Sequence, residues 1–421
     1  MATATPPMAL NEPVLRWSAR ARSIADIEKE LSRIWAKQDL STEIDGQPGR
    51  HIAARTSVMN LVVIARRPEI AERGAATIQA LTGKHPSRTI VVQSADPDGP
   101  SWIDARIEAH CILPREDAPE ICAETIHLIA GGEAGRHLAA IVTPLLIHDL
   151  PVAVWWPGEP PFTSRTAIDL FTGADRLVVD GSSWNGDGLA RLGEMASIAE
   201  QTRMAVSDFA MVRQSRWREA IASIFDDPDF LPYLRSLRRI AVTYATHDET
   251  GAPGSTNLVK PVYHVAWLGS RLALSVVKPL AVSSHQGHAH GLKQRSGAGS
   301  RPAISRGMAA TLSDGRAEVA VVIRPVASKM PSGTTLRVEL LCERRGSELR
   351  ADVTAEAETV HVRVWQDGVE VLERSFLAAR RGDVDLLAEA IEAARRDPVS
   401  VGTLDLAARL VGDHVHSGGG A

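Results

Sequence analysis

The chain reads as an α/β protein in two parts: an N-terminal mixed-sheet α/β domain, followed by a second α+β domain with an antiparallel sheet. Three observations predict this. Between about residues 57 and 280, short apolar runs alternate with stretches of helical periodicity, the pattern of strands joined by helices. After residue 306 the runs become period-two strands separated by turn residues, the pattern of an antiparallel sheet with one wet face. A length of 421 residues with 44% hydrophobic content is enough to build two cores. The expected divisions are an extension over 1–50, a first domain over 51–206 and a second over 207–421, interrupted by a flexible insertion at 281–306.

Taken in order, residues 1–12 are small and polar and read as a disordered tail. Ser23 with Asp26 resembles a capping box, and Ile24, Ile27, Leu31, Ile34 and Trp35 share one helical face, so a helix starts there and must bury that stripe. Gly46 to Gly49 break the chain before MNLVVIA at 59–65, a buried strand. A helix over 68–81, strands at 87–94, 102–113 and 121–130, and a helix over 136–146 follow, leading to a strand that ends at Trp156. DRLVVD at 175–180 is a further strand, and helices are expected over 189–202 and 215–225. RRIAVTYA at 238–245 is a strand, a helix runs over 262–271, and ALSVV after it is a strand. Residues 281–306 are rich in Ser, Gly and His without periodicity, which predicts an exposed loop. In the closing sheet Val338, Leu340, Val360, Val362 and Val364 point one way and Arg337, Glu339, His361 and Arg363 the other, with Asp367-Gly368 as a hairpin turn. Helices over 384–395 and 404–410 are placed to cover the dry face, and the terminal HSGGGA reads as loose.

The formal net charge of −4 gives no global field for nucleic acid or anionic membrane, so neither partner is expected. No apolar run reaches the roughly 20 residues that span a bilayer, and the first residues lack the pattern of a secretory signal, which together predict a cytoplasmic protein. Cys111, Cys122 and Cys342 are too few and scattered for a disulfide framework or a four-cysteine zinc site, and reduced buried thiols are the expectation.

Candidate chemistry is thin. The glycines of AGGEAGRH at 130–137 lack the Lys and Ser/Thr of a P-loop and the spacing of a dinucleotide fingerprint, so a plain turn is the stronger reading. Lys84, His85 and Arg88 form a compact basic turn suited to an acidic partner or a sugar phosphate. His285, His288 and His290 sit in a loop that does not preorganise metal ligands. His148 and Asp149 are adjacent and point apart. Arg213, Arg216, Trp217 and Arg218 suit either an anion or structural ion pairs. No catalytic residue, cofactor site or metal site is expected.

The most distinctive run is PVAVWWPGEPP at 151–161. Valines build a strand, Pro157 and Gly158 end it, and two indoles stand at its end, where they either anchor a partner or plug the domain core. Extended upstream to HLAAIVTPLLIHDLPVAVWWPGEPP, it resembles the signature of the glucose-6-phosphate dehydrogenase assembly protein family, usually called OpcA. KHPSRTIVV at 84–92, DRLVVD, DFAMVRQSRWREAIASIFD at 208–226 and HVAWLGSRL at 264–272 resemble the same family in the same order. The resemblance implies a non-catalytic assembly factor and allosteric activator whose partner is the glucose-6-phosphate dehydrogenase oligomer. The contact surface itself is expected, from the residues rather than from the resemblance, at Trp155, Trp156, Pro157 and Gly158, with Arg88 and Arg213 as electrostatic companions. The rival is an enzyme or sugar-phosphate sensor built on the glycine-rich and basic turns.

Overall fold

The chain starts with a strand that the periodicity argument passed over. β1 (Val14–Ala21) pairs antiparallel with residues 105–111 and forms one edge of the first sheet. α1 (Ile24–Ala36) follows as expected: the Ser23 hydroxyl accepts from the Asp26 amide at 3.1 Å, and Ile27, Leu31 and Ile34 are buried. The computed structural model describes residues 13–36, 54–55, 57–96, 98–115, 120–246, 256–286, 304–356, 358–394 and 397–412. The expected N-terminal tail, the Gly46 to Gly49 break, the side chain of Trp35 and the terminal HSGGGA lie outside the described residues.

β2 (Ala54–Arg55), β3 (Met59–Ala65), α2 (Pro68–Gln79), β4 (Ser87–Ser94), β5 (Trp102–Ile112) and β6 (Ile121–Gly131) come next. The single helix expected over 136–146 is three short pieces, α3 (Gly132–Arg136), α4 (Leu138–Val142) and a tighter turn at Thr143–Leu145 that carries Pro144. β7 (Val152–Trp156), α5 (Arg165–Thr172), β8 (Arg176–Val179), α6 (Leu189–Thr202) and β9 (Ala205–Asp208) follow; α5 and β9 were not anticipated. Among the described residues this sheet has the order β1-β5-β6-β4-β3-β7-β8-β9, with β2 beside β6. The strands β6, β4, β3, β7 and β8 run parallel, while β1, β5 and β6 are antiparallel neighbours. The sheet is therefore mixed, as expected. β3 lies between β4 and β7 and is buried on both faces, which is why it reads as a continuous apolar run.

The thiols correct the sequence reading. Cys111 and Cys122 stand directly opposite each other in the β5–β6 ladder, Cα atoms 4.0 Å apart, and form a disulfide. Eleven residues of separation conceal a cross-strand pair that only the register brings together. Cys342 is a buried free thiol.

α7 (Phe209–Val212), α8 (Ser215–Ile224), β10 (Leu237–Thr246), α9 (Val259–Arg271), β11 (Ser275–Gln286) and β12 (Ile304–Ser313) continue the chain. Strand structure thus takes up both ends of the segment expected to be a loop at 281–306, and residues 287–303 lie outside the described residues. β13 (Glu318–Ala327), β14 (Thr335–Arg344), β15 (Ser347–Glu356), β16 (Thr359–Gln366) and β17 (Val369–Leu377) complete a sheet of order β11-β12-β13-β10-β14-β15-β16-β17. It is antiparallel except for β10 and β13, which pair in parallel because the helix α9 crosses over before the β11-β12-β13 meander returns beside β10. Val338, Leu340, Val360, Val362 and Val364 are all buried, on the face assigned to them.

α10 (Asp383–Glu392) and α11 (Pro398–Val411) end the chain. The chain divides into two compact units: Met1–Val179 with Gln201–Ser207 and Gly382–Arg395, and Asp180–Glu200 with Asp208–Arg381 and Arg396–Ala421. α10 does not cover the second sheet. It belongs to the first unit, where Asp383 pairs with Arg73 of α2 at 2.8 Å and Arg176 of β8 donates to the Ala393 carbonyl at 2.6 Å. α11 packs on α9, where Gly269 leaves room for Leu406: a Cβ there would meet the Leu406 Cδ2 at 2.4 Å.

Candidate functional site

The double-tryptophan segment is core, not surface. Trp155 is 0% and Trp156 4% exposed, and Pro157 is buried with them, so the indoles that suggested a contact surface are held inside the first unit. β7 places them there because it is an interior strand, paired with β3 and β8 along its two edges, and both of its faces are buried. Trp156 lies 5.9 Å from the ring of Phe171, and Gly74 of α2 closes over Val63 and Trp155. A Cβ on Gly74 would come within 2.9 Å of Val63 Cγ1. In the turn after β7, Gly158, Glu159 and Pro161 are half-exposed.

Arg88 is likewise interior. Its guanidinium pairs with the fully buried Glu124 and donates to the Leu145 carbonyl at 2.9 Å, which fixes the turn before β7. The rest of the basic turn divides: His85 contacts Glu392 at 2.8 Å, and Lys84 is exposed. The glycine turn is structural too. Gly132 has φ of 57°, and Cβ atoms on Gly131 and Gly132 would strike Trp102 and the Gly99–Pro100 backbone, so these glycines admit a neighbouring loop rather than a phosphate. Asp149 has φ of 66° and shapes the turn before β7, while Asn60 clamps that turn through the Ile147 amide and carbonyl. Cys111, Glu120 and Cys122 bring their donor atoms within 4.8 Å of one another, but the disulfide takes both sulfurs and Glu120 pairs with Arg16 at 2.8 Å.

Arg213 leads to the one constellation that sequence reasoning missed. Its guanidinium meets Asp180 at 2.8 Å and the Ser182 hydroxyl at 3.2 Å. Asp180 immediately follows β8 and Asp208 closes β9, so each aspartate stands at a strand's end. Asp208 is fully buried. One of its oxygens accepts from the Gly181 and Ala210 amides at 2.9 and 2.8 Å, and the other accepts from the Tyr263 hydroxyl at 2.8 Å. Gly181 is required, because a Cβ there would lie 2.5 Å from the carboxylate. Asn257 completes the frame by donating to the Gly181 and Trp184 carbonyls.

The two carboxyls are driven apart in acidity. Burial, and then the charge of Asp180, push Asp208 up to about 6 against its three hydrogen bonds. Burial opposes ionisation of Asp180 as well, yet pairing with Arg213, helped by Ser182 and Lys260, holds its carboxyl below the ordinary range. Burial and the adjacent Arg213 pull the Lys260 ammonium down, and burial with Asp208 raises the Tyr263 phenol well above its usual value, so it remains the donor. The cluster could move a proton, but each Asp208 oxygen is taken up by the fold itself, which makes it first a clamp on the start of α7 and on α9. The available signal was the paired endings VVD at 178–180 and SD at 207–208, each an aspartate where a strand meets a turn.

Fold and site together define a two-unit α/β protein with one mixed and one largely antiparallel sheet, whose charged clusters are engaged in internal hydrogen bonds and ion pairs. Comparison with known proteins adds the family. Residues 78–197 match the glucose-6-phosphate dehydrogenase subunit N-terminal domain and residues 204–400 the C-terminal domain of the same subunit. The chain belongs to this OpcA family of glucose-6-phosphate dehydrogenase assembly subunits. Among its relatives is the OxPP cycle protein OpcA of Synechocystis, 25% identical over 202 residues, a stretch that takes in 47% of this chain and 40% of that protein. The protein of the same name in Synechococcus elongatus is 25% identical over 201 residues, 48% of this chain and 42% of that protein. The matches thus span about two fifths of the curated relatives' length. Solved structures with a similar course of the chain include an NAD binding oxidoreductase from Klebsiella pneumoniae, at 11% identity and a TM-score of 0.42, covering 84% of this chain and 96% of that one. The regulator Gal80p from Kluyveromyces lactis, at 10% identity and a TM-score of 0.41, covers 80% and 79%. At those scores they decide nothing about chemistry.

Proposed function

We propose that this chain is a non-catalytic assembly factor and allosteric activator of the glucose-6-phosphate dehydrogenase oligomer, acting in the oxidative pentose phosphate pathway and so supporting NADPH supply. The observation that carries the reading is the ordered match of both subunit domains over residues 78–197 and 204–400. Activation then means binding the active or assembled state of the dehydrogenase more tightly than its alternatives, which shifts the population toward that state. Of the residues first named for contact, Gly158 and Arg213 keep partial exposure and remain contact proposals, with Trp155, Trp156, Pro157 and Arg88 supporting from within.

A cytoplasmic location belongs to the same proposal; among the described residues no helix is long and apolar enough to cross a membrane. The test is the initial rate of NADPH formation against glucose 6-phosphate concentration, for the dehydrogenase of the same organism, with and without the chain. A lower half-saturation or a higher maximal rate is expected. Confirmed binding without either change reduces the role to scaffolding, and the absence of binding overturns the reading.

A further inference from the structure

The constellation around Asp180 and Asp208 holds one amine that the fold leaves unused. Lys260 stands in the first turn of α9 and is fixed there through its backbone, whose carbonyl accepts from the buried Gln214 side chain at 2.7 Å. Val259 beside it closes on Gly181, where a Cβ would lie 2.9 Å from Val259 Cγ1. The Lys260 residue is half-buried, whereas the other described lysines, Lys29, Lys84, Lys278 and Lys329, are exposed. Among the described residues its ammonium makes no hydrogen bond and no ion pair.

Arg213 stands beside this amine with an open edge. Its Nη1 atom makes both of its polar contacts, to the Asp180 carboxylate and the Ser182 hydroxyl, while the guanidinium lies over the Phe209 ring at 5.7 Å. Nε and Nη2 of Arg213 make no hydrogen bond among the described residues, and the side chain is 28% exposed. That edge of a guanidinium takes two oxygens of one phosphate in a fork. Charge around the amine is even, Arg213 and Lys260 against Asp180 and Asp208, so recognition depends on which groups are open rather than on a net field. Both carboxylates already accept from the fold, Asp208 from Gly181, Ala210 and Tyr263, and Asp180 from Arg213 and Ser182. The open groups are the two donors. Burial first, and then Arg213, pull the Lys260 ammonium down against the two aspartates, which enlarges the share of free amine.

We propose that Lys260 is an acylation site, that its acyl donor is an acyl phosphate, and that the open edge of Arg213 holds the phosphate of that donor. Lys260 first loses its ammonium proton to solvent, and the free amine then attacks the acyl carbon. The N–C bond forms and the C–O bond to phosphorus-bound oxygen breaks. Inorganic phosphate leaves with the electron pair of that bond, and the nitrogen gives a second proton to water, so the products are an amide and phosphate. An amine partly withdrawn from water beside another cation is how proteins activate lysine as a nucleophile. Acylation removes the positive charge of Lys260 and leaves Arg213 as the cation that faces the two aspartates. The inference goes beyond the reading of the chain as an assembly factor and stands without it.

The experiment incubates the full chain with acetyl phosphate and follows acetylation at each lysine by peptide mass spectrometry. Lys260 is expected to react about tenfold or more faster than Lys29, Lys84, Lys278 and Lys329 in spite of its partial burial, a small part of what holding two reactants together can supply. Added inorganic phosphate should slow Lys260 and not the exposed lysines, and acetic anhydride, which carries no phosphate, should show a smaller preference for it. Arg213→Gln should reduce the preference for Lys260 with acetyl phosphate, and competition by inorganic phosphate keeps the test valid if that variant does not fold. Acetylation of Lys260 no faster than that of the exposed lysines overturns the proposal. A preference untouched by inorganic phosphate, or shared equally by acetic anhydride, overturns it as well. None of these outcomes bears on activation of the dehydrogenase, which NADPH formation tests separately.

Discussion

Asp208 and His264 place two titrating groups of opposite sense in the interior of the second unit. Asp208 has its carboxyl raised to about 6 from an ordinary 3.8, chiefly by burial, so the native state holds its proton more firmly than the unfolded chain does. The stability from this group is fully present below about pH 4 and is lost as pH rises through about 6. Asp208→Asn preserves the acceptor for the Gly181 and Ala210 amides without the charge. Over that interval the wild type should therefore lose up to about 3 kcal/mol relative to the variant, measured by denaturant unfolding at a series of pH values. His264 works the other way. Burial foremost, with Arg218 and Lys260, lowers it from 6.5 to about 3, so its contribution is present above about 6.5 and fades as pH falls. Its ring lies 5.1 Å from Trp217 inside the core. Trp155 makes the remaining point at this scale: in Trp155→Ala the cavity should cost about 3–5 kcal/mol, a loss that thermal unfolding of the isolated chain detects without any partner.

Among the elements, α1 and the β16–β17 hairpin show two ways in which local chemistry ends or starts a segment. Ser23→Ala removes the cap that accepts from the Asp26 amide and should cost about 1 kcal/mol, read as a lower denaturation midpoint at unchanged slope. At the hairpin, Asp367 and Gly368 have φ of 51° and 84°, the conformation of a two-residue turn that suits the twist of the strands. A Cβ on Gly368 would meet nothing within 4 Å, so Gly368→Ala should destabilise by about 1 kcal/mol through backbone strain alone. Gly74→Ala is the contrast. Its conflict is with Val63 of β3, and overpacking there should cost about 1–3 kcal/mol in the same assay.

For the whole molecule the expected property is coupling. If the chain favours the state of the dehydrogenase that glucose 6-phosphate favours, then saturating glucose 6-phosphate must tighten binding of the chain by the factor by which the chain tightens substrate binding. Two titrations check it: dissociation constants for the chain with and without substrate, and for the substrate with and without the chain. Unequal factors would mean that the rate effect is not carried by a shared equilibrium.

The sequence by itself determined where most of the elements run and which family they compose. β3, β4 and α6 were legible to the residue, because a period of two or 3.6 sharpened by Pro, Gly and capping residues is a local property. The Asp367-Gly368 turn and the wet and dry faces of the second sheet were legible for the same reason. What lay beyond reach was pairing across distance. Periodicity says that one face is buried but not what covers it, so the indoles of 155–156 read as anchor or core, core the stronger, until the sheet set β7 between β3 and β8 with both its faces buried. Only register brought Cys111 to Cys122, only topology returned α10 to the first unit, and only tertiary packing set Asp180 and Asp208 beside each other with Tyr263 as donor. Each of these depends on contacts between segments from eleven to more than two hundred residues apart on the chain, whose free energy exists only once the sheets have formed.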